Sequence, residues 1–334
     1  MKRFLKKILL FVSPVVAVVG IYIILDPFMV VHHHSPFFER ECYVGINPNV
    51  GYVSTMTYIE NLPEQDYDSF IFGNSRSVHF LIDDWQPHID PAARCFHFNA
   101  DGESLYGMLK KIELIDSLGG KLSNALLIVD NTLLGKAKNN EGHLFAIPPA
   151  LEGGRGKTRF QWQYIKAFLT PRFTVAYADY TITGKIKDYM RAGFFVSDEY
   201  ITYDYRRNEL KETGFEREIA AGTFYTPTRK AYFTDFPGTV AKPSIGAQQA
   251  QMLTEIATLL HEHHTNYKVI VCPIFNKIKL NPADLAFLQA TFGIDAVYDF
   301  SGVNSYTADY RGYYDAYHPR PTITRQIINQ VYAD

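Results

Sequence analysis

Ser69-Phe70-Ile71-Phe72-Gly73-Asn74-Ser75-Arg76-Ser77 is the stretch whose reading decides the fold. A short unbroken apolar run that stops at a glycine is what a strand buried on both faces of a parallel sheet requires. Two runs of the same kind follow, Cys95-Phe96-His97-Phe98-Asn99 and Ala125-Leu126-Leu127-Ile128-Val129. Between them Leu105, Met108, Leu109, Ile112 and Ile115 recur at spacings of three and four, one face of a helix that Gly119-Gly120 closes. The alternation returns late in the chain, with helices over Ala250 to Leu260, Asp284 to Phe292 and Thr324 to Val331, and strands at Lys268 to Cys272 and Ala296 to Asp299. Strands alternating with helices predict an α/β fold with a five-stranded sheet between helices.

The chain has 334 residues, enough for one large or two ordinary domains. With 47% hydrophobic and 20% charged residues it has material for a substantial core, which excludes global disorder. Lys+Arg of 33 against Asp+Glu of 35 leaves a net charge of -2, without the basic footprint that neutralises phosphates, so nucleic acid is not an expected partner. The three cysteines Cys42, Cys95 and Cys272 have no C-x-x-C spacing, allow at most one bridge, and argue against a thiolate zinc site.

The amino terminus is unlike the rest. Lys2, Arg3, Lys6 and Lys7 precede an uncharged run from Ile8 to Leu25, long enough at 1.5 Å per residue to cross the hydrocarbon of a bilayer. The basic cluster keeps its own side cytoplasmic. A cleavable signal peptide shares the basic start but ends in a small-residue cleavage site, whereas Ile23-Ile24-Leu25-Asp26-Pro27-Phe28 follows here. The expected organisation is a cytoplasmic tip and transmembrane anchor over 1–31, a juxtamembrane segment over 32–65, and an extracytoplasmic domain over 66–334. An insertion at about 135–245 interrupts that domain, rich in Tyr, Phe, Lys and Arg and too long for a structureless loop. Trp162, Ile165, Phe168 and Leu169 have helical spacing within it. Its aromatics, among them Trp162, Tyr177, Tyr180, Tyr203 and Tyr205, suit either a wall over the sheet or the insertion's own core.

Catalytic groups of open α/β sheets gather at the carboxyl ends of strands. Ser75 follows the first strand, Asn99-Ala100-Asp101-Gly102-Glu103-Ser104 ends the second, Asp130-Asn131 follows the third, and Asp315-Ala316-Tyr317-His318 precedes the last helix. A serine nucleophile needs a base to take its proton and a carboxylate to orient that base, and Asp315 and His318 on one loop can supply both. Serine after a strand also suits a helix N-cap, and D-x-x-H followed by Pro319 also suits a surface turn.

On Gly73-Asn74-Ser75-Arg76-Ser77, on Asp315-x-x-His318 and on the anchor, the sequence resembles the SGNH (GDSL-like) hydrolase superfamily. Within it, the chain is similar to membrane-anchored members that O-acylate polysaccharides, relatives of the alginate acetylation and teichoic-acid D-alanyl transfer proteins. The resemblance covers about residues 66–134 and 246–334. It implies a three-layer, flavodoxin-like SGNH fold and a triad of Ser75 as nucleophile, His318 as base and Asp315 as orienter. The implied oxyanion hole joins the backbone N–H groups of Ser75 and Gly102 to the Asn131 side chain. Asn74 stands where the family has Asp in G-D-S, and Asp130-Asn131 departs from its G-x-N-D form. The implied activity is acyl transfer, acetyl or similar, to an extracytoplasmic polysaccharide without a cofactor, with a multi-span membrane protein as exporter of the acyl group. An esterase on the same fold and a catalytically silent anchored scaffold that binds glycan or an assembly partner are the alternatives. Arg76 suits either an anionic substrate group or a neighbouring carboxylate such as Asp101. His32-His33-His34 and His261-Glu262-His263-His264 lack H-E-x-x-H spacing and read as solvated histidines rather than metal ligands.

Overall fold

The computed structural model describes residues 2–38, 45–191, 193–195, 201–234 and 236–333. Five strands form one sheet: β1 (Ser69–Gly73), β2 (Cys95–Asn99), β3 (Asn124–Val129), β4 (Asn266–Val271) and β5 (Val297–Asp299). All neighbours run parallel in the order β2-β1-β3-β4-β5. This is the flavodoxin-like order, and its switch point, where ligands bind, lies at the carboxyl ends of β1 and β3.

Side-chain alternation divides the core in two. Phe70, Phe72, Leu127, Val129, Val269 and Val271 face one layer, where they meet Tyr58, Met108, Ile112, Ile256 and Leu288. That layer consists of α2 (Val50–Gln65), α3 (Leu105–Ser117), α4 (Ala247–Glu262) and α5 (Pro282–Phe292). Ile71, Leu126, Ile128 and Ile270 face the other, against Ile82, Trp85, Ile327 and Val331, the last two from α6 (Pro321–Val331). Both faces are covered, which is why the strands read as continuous apolar runs.

Two parts of the architecture depart from the expectation. α2 falls in the stretch read as a juxtamembrane segment, yet Tyr58 sits wholly buried in the core with the sheet residues. Its β-branched and aromatic residues and its internal Pro63 carry little helix propensity; packing and the Asn49 cap, which accepts from the Tyr52 N–H, hold it. In the insertion a helix does cover Lys157–Phe168, but its buried side is Phe160, Tyr164, Ala167 and Phe168, while Trp162 is exposed. The hairpin Thr202–Asp204 and Glu209–Lys211 lies beside the edge strand β2, where the His97 N–H donates to the Arg207 carbonyl at 2.9 Å and Asn208 Nδ2 to the His97 carbonyl at 2.6 Å. The insertion thus covers an edge that would otherwise stay open to pairing.

Residues Lys2–Leu25 form one helix, α1, with Leu10, Phe11, Val15, Val16 and Ile24 exposed. Among the described residues no helix is long and apolar enough to cross a membrane. Beyond α1 the Asp26 carboxylate accepts from the N–H groups of Val30, Val31 and His32, which fixes the chain's exit. The histidines at 32–34 turn to separate partners: His32 to the Ile23 carbonyl, His33 to Glu60 and His34 to Asp26. His263 pairs with Asp116. Cys95 and Cys272 are free and buried; Cys42 lies outside the described residues.

Candidate active site

β1 ends at Gly73, where a Cβ would meet Ser77 Cβ at 2.7 Å and the Ile128 carbonyl oxygen at 2.8 Å. Only glycine lets the chain turn this tightly beside β3. Ser75 follows in the turn and leads into a single 3-10 turn, Ser77–His79, rather than a long helix. Its Oγ lies 2.9 Å from His318 Nε2, and His318 Nδ1 lies 2.8 Å from the Asp315 carboxylate. The Asp315 carboxylate also accepts from the Tyr317 and His318 N–H groups, at 2.7 and 2.9 Å, which locks its orientation. Burial pushes the Asp315 carboxyl up, but hydrogen bonding and charge from His318, with those two backbone donors, prevail and hold it below the ordinary range. The loop closes on itself through the Tyr314 N–H and the His318 carbonyl, and Glu216 of the insertion grips both ends by accepting from the Tyr314 hydroxyl and from Arg320.

Asn74 and Asp130 face each other. Asn74 Nδ2 donates to Asp130 Oδ2 at 2.5 Å, a contact that two carboxylates would turn into repulsion. Asp130 also caps the short helix Asn131–Leu134 and pairs with Arg76 Nη1 at 2.6 Å. Arg76 Nε donates to the Tyr317 carbonyl at 3.2 Å. Arg76 therefore pairs with Asp130 rather than with Asp101, and ties the end of β3 to the loop that carries His318.

A cavity of about 280 Å³ opens at Ser75 and His318. Its polar side holds His79, Asn99, Asp101 and Asp315; its other walls are Val50 and Val53 of α2, Tyr203 and Leu210 of the hairpin, and Phe38, Ile201 and Phe215. Gly102 and Asn131 do not line it. Gly102 sits in the turn after β2 with φ 57° and its carbonyl on Lys136, while Asn131 borders a separate crevice with Cys272 and Ser301. Asn99 and His79 were not singled out by sequence, and Asp101 only as a possible partner of Arg76; the strand-end rule reached the segment 99–104 but not which of its residues line the cavity. Asn99 is buried, its Oδ1 accepts from Asn208, and the residue lines the cavity beside Ser75. Of the insertion's aromatics quoted above, Tyr203 alone lines the cavity; Tyr177 and Tyr180 pack against the insertion's own core, and Tyr205 bonds Glu60 and Ser35.

Burial, with His318 nearby, lowers His79 from 6.5 to about 3, and burial with Lys111 does the same to His97. Between those values the unfolded chain binds protons that the folded chain refuses, so stability falls as pH falls. Two such groups give a slope of up to about 3 kcal/mol per pH unit between roughly pH 6 and 4. Urea unfolding across that range should show it, and His97→Gln should remove about half; a flat profile would contradict the buried neutral histidines.

No protein-family model and no curated protein matches this chain.

Proposed function

We propose that the chain is an SGNH-type serine acyltransferase that modifies hydroxyl groups of an extracytoplasmic polysaccharide. The observation that carries this reading is the series Ser75 Oγ, His318 Nε2, His318 Nδ1 and Asp315, at 2.9 and 2.8 Å, opening on one cavity. In the first step Ser75 Oγ attacks the carbonyl carbon of an acyl ester or thioester and its proton passes to His318. The bond to the leaving group breaks, and His318 returns the proton to that group. In the second step a sugar hydroxyl attacks the acyl-serine carbonyl and gives its proton to His318; the bond from the acyl carbon to Ser75 Oγ breaks, and His318 returns the proton to Oγ. Water in place of the sugar makes the same site an esterase. Asp315 holds the imidazole with Nε2 towards Ser75 and stabilises the imidazolium.

The negative oxygen of each tetrahedral intermediate falls to the Ser75 N–H and to Asn99 Nδ2, which shares the cavity with Ser75. Asn99→Ala should lower kcat about 10²- to 10³-fold with little change in KM, whereas Asn131→Ala should stay within about threefold of the parent. Equal losses at the two positions would return the oxyanion to Asn131. The exposed apolar face of α1, preceded by Lys2, Arg3, Lys6 and Lys7, supports anchoring with the domain outside the cytoplasm, next to a multi-span protein that supplies the acyl group. Retention in the membrane pellet after a carbonate wash is expected; release into the supernatant would count against the anchor.

The direct test supplies the purified full chain with p-nitrophenyl butyrate and an oligosaccharide. Release of nitrophenol together with a butyryl-sugar is the expected result. Nitrophenol without acylated sugar would mean an esterase, and neither product would favour a silent scaffold.

A further inference from the structure

The reading above leaves the acyl group unspecified, and the walls of the cavity carry information about it. The apolar part of the lining includes Phe38, Val50, Val53, Ile201, Leu210 and Phe215, contributed by three separate parts of the chain, beside polar residues such as Asn47 and Asn208. Phe38, Val53 and Ile201 also pack on one another as a small apolar cluster of their own. An acetyl group ends one methyl beyond the carbonyl and touches almost none of this surface. Among the described residues, Asp101, Glu212 and Asp315 are the acidic residues on the lining, and the basic ones are the histidines His79 and His318. An acyl group with a terminal carboxylate would meet like charge there. The volume of about 280 Å³, set against roughly 30 Å³ for a group the size of water, leaves room for roughly nine such groups.

Resting on the serine-acyl reading, we propose that the group carried by Ser75 is a neutral, medium-length alkanoyl chain of roughly six to nine carbons, with its carbonyl at Ser75 and its tail between α2 and the hairpin. The chemistry is the step already written: the ester or thioester carbonyl of such a donor is attacked by Ser75 Oγ, the donor's oxygen or sulfur leaves with the proton from His318, and the tail stays in the cavity. Each methylene moved from water to an apolar wall is worth up to about fourfold in binding. The cavity is open on one side, so the gain levels off once the tail outgrows its walls.

The experiment measures kcat/KM of the full chain in detergent below the critical micelle concentration of the substrates, for p-nitrophenyl acetate, butyrate, hexanoate and octanoate. The octanoyl-to-acetyl ratio of kcat/KM is expected to be at least about 100. Leu210→Trp and, independently, Val50→Trp narrow the cavity from its two walls and should each bring that ratio down at least about tenfold. Because a bulky residue can disturb folding, circular dichroism accompanies each variant, and Leu210→Ala serves as a second probe that should move the optimum to longer chains. A Ser75-dependent activity with a ratio near one, or a ratio that no wall variant changes, overturns the alkanoyl assignment and leaves the serine-acyl reading standing. Absence of Ser75-dependent turnover with every ester overturns the serine-acyl reading itself.

Discussion

Ser75→Ala is expected to reduce ester turnover at least about 10⁴-fold, His318→Ala to do nearly the same, and the double variant to be scarcely worse than either. The reason lies in the geometry. Ser75 Oγ has one base within 2.9 Å, and that base is held by Asp315 at 2.8 Å. Without the hydroxyl there is no covalent step to assist; without the imidazole the hydroxyl keeps its proton. Groups that work as one unit lose their shared contribution once. Asp315→Asn should damage the rate strongly but less completely, because it spoils the tautomer and charge around His318 while leaving the base in place. Turnover of p-nitrophenyl butyrate by the four variants, with unfolding midpoints close to the parent's, checks this. Additive losses for Ser75→Ala and His318→Ala would mean that the two side chains act separately.

The second large effect concerns stability. Lys111 and Glu103 form an ion pair at 2.5 Å with both side chains almost wholly buried. Burial pushes the Lys111 amine down, opposed by Glu103, and the amine also donates to the Phe98 and Asn99 carbonyls at the end of β2. Gly107 is the residue that lets Glu103 approach, since a Cβ there would clash with the carboxylate. Lys111→Ala removes the cation paired with buried Glu103, which keeps only the Ser104 N–H, and takes one donor from the Phe98 and Asn99 carbonyls; it should cost about 3–5 kcal/mol. Glu103→Gln with Lys111→Met removes both charges and should recover much of that loss. Urea unfolding of the single and double variants decides the matter: a Lys111→Ala variant within about 1 kcal/mol of the parent would show that the pair is not a keystone of the sheet's end. Since Asn99 lies where this network meets the cavity, Lys111→Ala should also lower turnover beyond what the folded fraction explains.

The strands were legible because they are buried on both faces: Phe70-Ile71-Phe72 and Leu126-Leu127-Ile128 leave nothing for water, so composition alone marks them. Helices with a single buried stripe, such as α3, were legible from the spacing of Leu105, Met108, Ile112 and Ile115. α2 was not, because Thr55, Thr57 and Ser54 are buried beside Val53 and Tyr58, and a helix that buries polar residues has no apolar stripe to read. The helix over Lys157–Phe168 was legible from the spacing of Trp162, Ile165 and Phe168, but not which residues it buries: Trp162 is exposed, while Phe160 and Tyr164 pack with Tyr22 and Phe28 from a distant part of the chain. At the site, Ser75, Asp315 and His318 were readable from position at strand and loop ends. Asn99 and His79 were hidden because what distinguishes them is the direction in which they face. Arg76 could not be assigned before its partner was known, and that partner proved to be Asp130, from the other side of β1.

The central claim is that Ser75 is a nucleophile, and the measurement closest to it is covalent labelling of the full chain with a fluorophosphonate, followed by mass spectrometry of the modified peptide. Attack by Ser75 Oγ on phosphorus displaces fluoride and leaves a stable phosphonyl-serine. The predicted result is stoichiometric modification at Ser75, lost in Ser75→Ala and strongly slowed in His318→Ala. A folded chain that takes up no label at Ser75, or takes it up equally fast without His318, would contradict the account.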